Sequence, residues 1–187
     1  MKVDQRQLKQ TLKKIESTAK TIRKAQMGAI NDTTRNMRTK ASAIMRETIN
    51  VKKLGLDRRL KREFATESNL NGSINISDST PIPLKYFGAR QVKKGVKYSI
   101  IKPKAGGTVI TVPGAFGPKI KRLGGNVYKR IGKPRTPLRK LPSVKITKEI
   151  RKTGVEKKVR RMVPGLLKKN MERRMDRALK SIERKVG

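Results

Sequence analysis

The chain has no cysteine, no histidine and no tryptophan, and its only aromatics are three tyrosines and three phenylalanines. These absences exclude disulfides, thiol chemistry, Cys/His zinc sites and histidine-based acid–base catalysis. A chain without disulfides is compatible with assembly in a reducing cytoplasm. No stretch approaches the roughly 20 apolar residues that span a bilayer. Residues 1–12 are polar and lack the apolar core of a signal peptide. There is no internal repeat of a solenoid or propeller kind.

Carboxylates are also scarce, at 13 in 187 residues. Most sit beside Lys or Arg on helical segments and read as surface charge. Only Glu67, Asp78 and Glu149 lie in or beside the central part of the chain. None forms a close pair or a metal-ligand spacing. A magnesium-dependent nuclease needs a carboxylate cluster, so the expectation is a non-enzyme with no cofactor and no metal. Gly106-Gly107 and Gly124-Gly125 fit neither the Walker pattern nor the dinucleotide fingerprint, and read as hairpin turns.

What the chain has in excess is positive charge: 50 Lys and Arg, for a net charge of +37. Such an excess opposes compaction by self-repulsion and favours polyanionic partners. The charge is uneven. Residues 1–63 carry 18 bases and 6 acids, residues 64–84 two acids and no base, residues 85–153 20 bases and one acid, and residues 154–187 12 bases and four acids. The middle block is the electrostatic focus. Its candidate contacts with DNA, other phosphates or an acidic partner are Lys93, Lys94, Lys102, Lys104, Lys119, Lys121, Arg122, Lys129, Arg130, Lys133, Arg135, Arg139 and Lys140. Basic side chains on loops can follow a phosphate backbone without reading sequence. Tyr86, Phe87, Phe116 and Tyr128 could stack on bases, but their places in strands and beside Gly and Pro favour core packing.

The apolar residues are 34% of the chain, enough for a modest core completed in part by neighbouring subunits. Leu8, Leu12, Ile15, Ala19, Ile22, Ala29 or Ile30, Met37, Ala41, Ile44 and Thr48 follow a three-four spacing. That predicts one amphipathic helix over residues 4–49, about 70 Å long. Asp4 is its N-cap. Gly28 and Asn31 to Thr34 bend or split it, with Asp32 or Asn31 capping the second half. A short basic helix is expected over Leu56 to Glu63. A hairpin follows, with strands Phe64–Glu67 and Ser73–Ser77 around Asn71-Gly72.

Further strands are expected at Val96–Lys102, Thr108–Val112 and Val127–Ile131, so that residues 64–131 form a small antiparallel sheet. Residues 132–143, with Pro134, Pro137 and Pro142, read as extended and solvated. Ser143 caps a short helix to about Lys152. Helical spacing then runs from Val155 to Val186, with Pro164 either kinking that helix or starting its second piece. The fold class is α+β: a small antiparallel sheet flanked by a long N-terminal helix and a C-terminal helix. The expected organisation is one domain over residues 1–187. It has a helical arm at 1–63, a sheet core at 64–131, a Pro-rich basic segment and short helix at 132–153, and a helix at 154–187.

Over residues 82–144 the sequence resembles the phage minor tail protein Z family, the tail completion proteins of lambda-like tailed bacteriophages. The similarity rests on Ile82-Pro83-Leu84-Lys85-Tyr86-Phe87-Gly88-Ala89-Arg90-Gln91, then Lys94-Gly95-Val96 and Gly114-Ala115-Phe116. It continues through Val127-Tyr128-Lys129-Arg130, Gly132-Lys133, Arg135-Thr136-Pro137-Leu138 and Pro142-Ser143-Val144, in family order. Leu141 stands where the pattern has Gly, and Gly117 where it has an aliphatic residue.

The resemblance implies a virion component, assembled in the host cytoplasm, that completes the head-proximal end of a tail. It implies a homo-oligomeric ring, hexameric by expectation, between tail tube or terminator and neck, around the DNA path and away from membranes. It supplies no catalytic site. Six chains of +37 would carry on the order of +200 charges, against one negative charge per roughly 1.7 Å of duplex DNA, so acidic neighbouring proteins are expected partners too. Composition alone also fits a second reading, a non-enzymatic nucleic-acid-binding protein of ribosomal type.

Overall fold

The computed structural model describes residues 5–79, 81–118, 120–124, 126–132 and 136–186, without the side chains of Gln5, Gln7, Leu8, Lys121, Lys185 and Val186. Asp4, the expected N-cap, lies outside the described residues. The chain is α+β. Helix α1 spans Gln5–Thr48, α2 Lys53–Asp57, α3 Ile146–Lys152 and α4 Val155–Val186. Among the described residues eight short strands lie between: β1 Leu60–Glu63, β2 Ser73–Ile76, β3 Arg90–Val92, β4 Gly95–Tyr98, β5 Ile110–Pro113, β6 Ala115–Phe116, β7 Tyr128–Arg130 and β8 Leu138–Lys140. They form three small sheets, ordered β1-β2, β3-β4-β5 and β6-β7-β8, where the sequence suggested one.

Both long helices are continuous. α1 runs through Gly28 and Asn31–Thr34 without a break, and α4 carries Pro164 inside it. The expected second N-cap is therefore absent, because Asn31 and Asp32 are engaged elsewhere. Buried residues of α1 recur at every fourth position, Ala25, Ala29, Thr33, Met37, Ala41, Met45 and Ile49, the last just past its end, with Thr34 and Ser42 buried beside them. Each four-residue step drifts about 40° around a helix of 3.6 residues per turn. A stripe read as straight thus picks Ile44 and Thr48, which are half-buried, in place of Met45 and Ile49. At the other end Leu12 and Ile15 are 51% and 58% exposed.

Other expectations shift as well. Residues 56–63 are not a helix: α2 ends at Asp57 and β1 begins at Leu60, with Arg38 donating to the Asp57 carbonyl at 2.9 Å and the Leu60 carbonyl at 3.2 Å. Phe64–Glu67 is not a strand. Leu84–Phe87 is a 3-10 turn closed by Gly88 at φ 68°.

The chain gathers into two compact units. The first takes its described residues from 1–37, 62–74 and 161–187, and the second from 38–61 and 75–160. In the first, α1 and α4 lie antiparallel: Asn170 Nδ2 donates to Thr33 Oγ1 at 3.0 Å, while Gly28 lies against Arg174. Asp32 is the hub of that contact. Its Oδ2 accepts from Arg173 Nη2 at 2.9 Å and from Arg174 Nη2 at 2.7 Å, and its Oδ1 meets Arg35 Nη1 at 3.2 Å. Burial alone would raise the Asp32 carboxyl. The Arg174 hydrogen bond and charge, with Arg173 and Arg35, outweigh it and hold the pKa below the ordinary value. Asn31 acts as a strand edge would, accepting from Ala65 N at 2.8 Å and donating to Ala65 O at 3.1 Å.

The second unit holds the large apolar core: Phe87, Ile49, Leu56, Ile82, Ile146, Val96 and Val155 are the biggest fully buried side chains. The end of α1 is sewn to the sheet region by backbone bonds, Asn50 N to Ile100 O at 2.8 Å and Lys102 N to Thr48 O at 2.9 Å. Asn50 Nδ2 donates to Ser99 Oγ at 2.7 Å beneath them. α3 is capped from a distance. Its N-cap residue, Lys145, offers no side-chain bond, and the Asp78 carboxylate accepts from Ile146 N at 3.1 Å and also binds Thr147. Ser143, the expected cap, lies too early in the chain.

Candidate functional site

The basic candidates divide by position within the second unit. Lys93 and Lys94 form the two-residue turn between β3 and β4, and both are exposed. The turn closes tightly: Gly95 sits at φ 145°, where a side chain would strike the Val112 carbonyl. Lys104 is exposed in the 3-10 turn Pro103–Ala105. Lys102 is half-buried and lines a cleft of about 440 Å³ with Arg46, Asn50, Lys52 and Lys53. Sequence reasoning missed those three cations. Their nearness to the end of α1 gives a plain account of them, since cations favour helix C-termini.

Arg122 is exposed in a short turn, Lys121–Leu123. Lys119, Lys133 and Arg135 lie outside the described residues, and so does the side chain of Lys121.

Lys129, Arg130, Arg139 and Lys140 are brought together by the β6-β7-β8 sheet. The register opposes Ala115 to Lys129 and Phe116 to Tyr128, and then Tyr128 to Lys140, Lys129 to Arg139 and Arg130 to Leu138. Directly opposed residues share a face and successive residues alternate. One face therefore carries Ala115, Lys129 and Arg139, continued by Val127 and Leu141 where Leu141 N bonds to Val127 O at 2.8 Å. That face is inner where it carries Ala115, Val127 and Leu141: Ala115 and Val127 belong to a cluster with Leu84 and Val96, against which Leu141 and Val144 pack, while Lys129 and Arg139 on the same face are exposed. The opposite face carries Phe116, Tyr128, Leu138, Arg130 and Lys140. Phe116, Tyr128 and Leu138 are half-buried there, while the two cations are exposed. Arg130 lies over the Phe116 ring at 5.8 Å.

The aromatics thus part company. Phe87 is fully buried, as core packing requires. Tyr86 is half-buried against Gly55. Phe116 and Tyr128 sit on the side of the sheet opposite Ala115 and Val127, half-buried. Gly117, at φ 121°, lets the chain turn beside Tyr128; a side chain there would reach the Asn126 carbonyl at 2.5 Å. β8 itself was not foreseen, because its three residues lie inside the stretch read as extended and solvated.

Phe64, which the sequence reading placed in a strand, is 41% exposed in the first unit, with the guanidinium groups of Arg35 and Arg62 at 5.1 and 5.3 Å from its ring. Among the described residues no group of three or more Asp or Glu is placed to hold a metal ion, and no helix is long and apolar enough to cross a membrane. No family model, no curated protein and no solved structure matches the chain.

Proposed function

We propose that the chain is a non-enzymatic structural protein of a bacteriophage virion, of the tail completion type. In this reading it forms a homo-oligomeric ring, hexameric by expectation, at the head-proximal end of the tail. It meets tail tube or terminator and neck proteins around the DNA path. The helices carry the contacts between copies, and the sheets with the Pro-rich segment dock the next ring.

One observation carries the reading. The residues behind the resemblance, spread over about 60 positions, come together in one place. Ile82 N bonds to Val144 O and Val144 N to Ile82 O, both at 2.9 Å, joining the first and last pieces of the motif run. Leu84, Val96, Ala115 and Val127 share one buried cluster, one from each of the first four pieces. Gln91 Nε2 ties two of these pieces by donating to Gly95 O at 3.0 Å and Ala115 O at 3.1 Å. These fragments form one framework, as a family's motif run would.

The test is to follow the chain by peptide mass spectrometry through gradient fractions of a lysate from its source. Comigration with tails and complete particles, at a few copies each, is the expected result. Migration with ribosomes or free nucleoprotein, and absence from particles, would overturn the proposal in favour of the RNA-binding reading.

A further inference from the structure

We infer that the outer face of the β6-β7-β8 sheet binds single-stranded nucleic acid, with Phe116 and Tyr128 stacking on unpaired bases and Arg130 and Lys140 taking the phosphates. The inference is independent of the virion reading and would hold equally for an RNA-binding chain.

The first ground is placement. Phe116 and Tyr128 are directly opposed across neighbouring strands, so their Cβ atoms are about 5 Å apart. Their face is turned away from the cluster that holds Ala115 and Val127. Two adjacent rings on a sheet form a platform for successive bases, and every base has a π-face to offer.

The second ground is charge. Lys140 opposes Tyr128, and Arg130 follows it by two residues on the same face, so a cation flanks the platform on each neighbouring strand position. Arg130 lies over Phe116 at 5.8 Å, within reach of either a ring-bound base or its phosphate. From Ser79 to Lys148 the chain has no Asp or Glu at all, so no carboxylate of this segment opposes a phosphate. That much would also suit an acidic protein. The aromatic pair decides for nucleic acid, since carboxylates gain little from a π-face. It also decides for single strands, since half-buried rings on a sheet cannot reach bases that are stacked inside a duplex.

The experiment uses the full-length protein and a labelled short oligothymidylate, with oligouridylate, a duplex of equal length and polyglutamate in parallel. With no tryptophan and three tyrosines, intrinsic emission reports Tyr86, Tyr98 and Tyr128 alone. Stacking on Tyr128 should quench part of that emission when a single strand binds, and Tyr128→Leu should abolish the quench. The Phe116→Leu/Tyr128→Leu pair should weaken single-strand binding roughly tenfold or more, leaving duplex and polyglutamate binding unchanged. Arg130→Gln and Lys140→Gln, both at exposed positions, should each lower the salt slope by about one.

A preference between the two oligonucleotides would assign the strand as DNA or RNA and support the site either way. If the leucine pair fails to fold, the wild type still decides: single-strand affinity no higher than duplex, with no quench, overturns the inference. So does an equal loss toward all four probes in a folded variant.

Discussion

The two units are held together by different physics. The first buries small and polar groups: Ala25, Ala29, Thr33, Thr34, Met37, Ala65, Asn170 and Ala178. Its specificity comes from Asp32 with three arginines and from the Asn31 clamp on Ala65. The second buries Phe87 and a set of Ile, Leu and Val, with hydrogen bonds largely supplied by backbone. Apolar burial depends on area and not on protonation. A charge hub depends on protonation and salt. The first unit therefore has a protonation-dependent contact at its centre, where the second relies on apolar area.

The largest expected effect lies in the second unit. Phe87→Ala empties a fully buried aromatic site and should destabilise that unit by about 3–5 kcal/mol. Hydrogen exchange should show lost protection in Val96 and Ile146 while the Thr33–Asn170 region of the first unit changes less. Equal loss in both would mean that the units are one cooperative block and would break the comparison.

Next is Asp32→Asn, which removes the charge but keeps the shape. The carboxylate is 13% exposed while Arg173 and Arg174 are 49% and 36% exposed, so solvent screens part of the interaction. A loss of about 2 kcal/mol confined to the first unit is expected. The pH dependence has a definite sign. The folded pKa of Asp32 is depressed, so its contribution is fully present above the ordinary carboxylate value of about 3.9 and is lost as pH falls through the lower folded value. Methyl NMR of Met37 during an acid titration should show the first unit opening in that window. The Asn variant should lack the step.

How much of this was legible in the sequence follows from the range of each interaction. The long helices were, because spacing repeats over many turns: α1 and α4 fall within a residue or two of where the pattern puts them. Four strands are legible as well: β2, β4, β5 and β7 overlap the expected Ser73–Ser77, Val96–Lys102, Thr108–Val112 and Val127–Ile131. β6 and β8 are not, because they have two and three residues, too few for alternation to register. The sequence shows Asp32 as a local cap because it shows only neighbours, and two of its three partners, Arg173 and Arg174, are more than 140 residues away. The basic candidates were legible as composition. Which of them share a face depended on the register Phe116–Tyr128–Lys140, which no local pattern encodes.

Asp78 is a smaller test of the same point, a long-range polar contact set inside the apolar unit. Asp78→Ala leaves the first turn of α3 without its cap and should cost about 1 kcal/mol, as the loss of an N-cap does. Faster exchange confined to the amides of Ile146 and Thr147 would check it. A loss as large as that of Phe87→Ala would mean that the second unit also relies on a polar hub.

The smallest effect on stability is expected where neither kind of physics operates. From Arg6 to Ala19 no described side chain of α1 is buried, and Leu12 and Ile15 are more than half exposed. Neither side chain is buried, so replacing both with Gln should change the unfolding free energy by no more than about 0.5 kcal/mol. If the helices carry the contacts between copies, as proposed, the same double variant should lower the sedimentation coefficient to that of a monomer. A stable variant that still assembles would move the contact between copies off this stretch of α1. A destabilised one would mean that the stripe is already covered within the chain, and that the first unit has an apolar core after all.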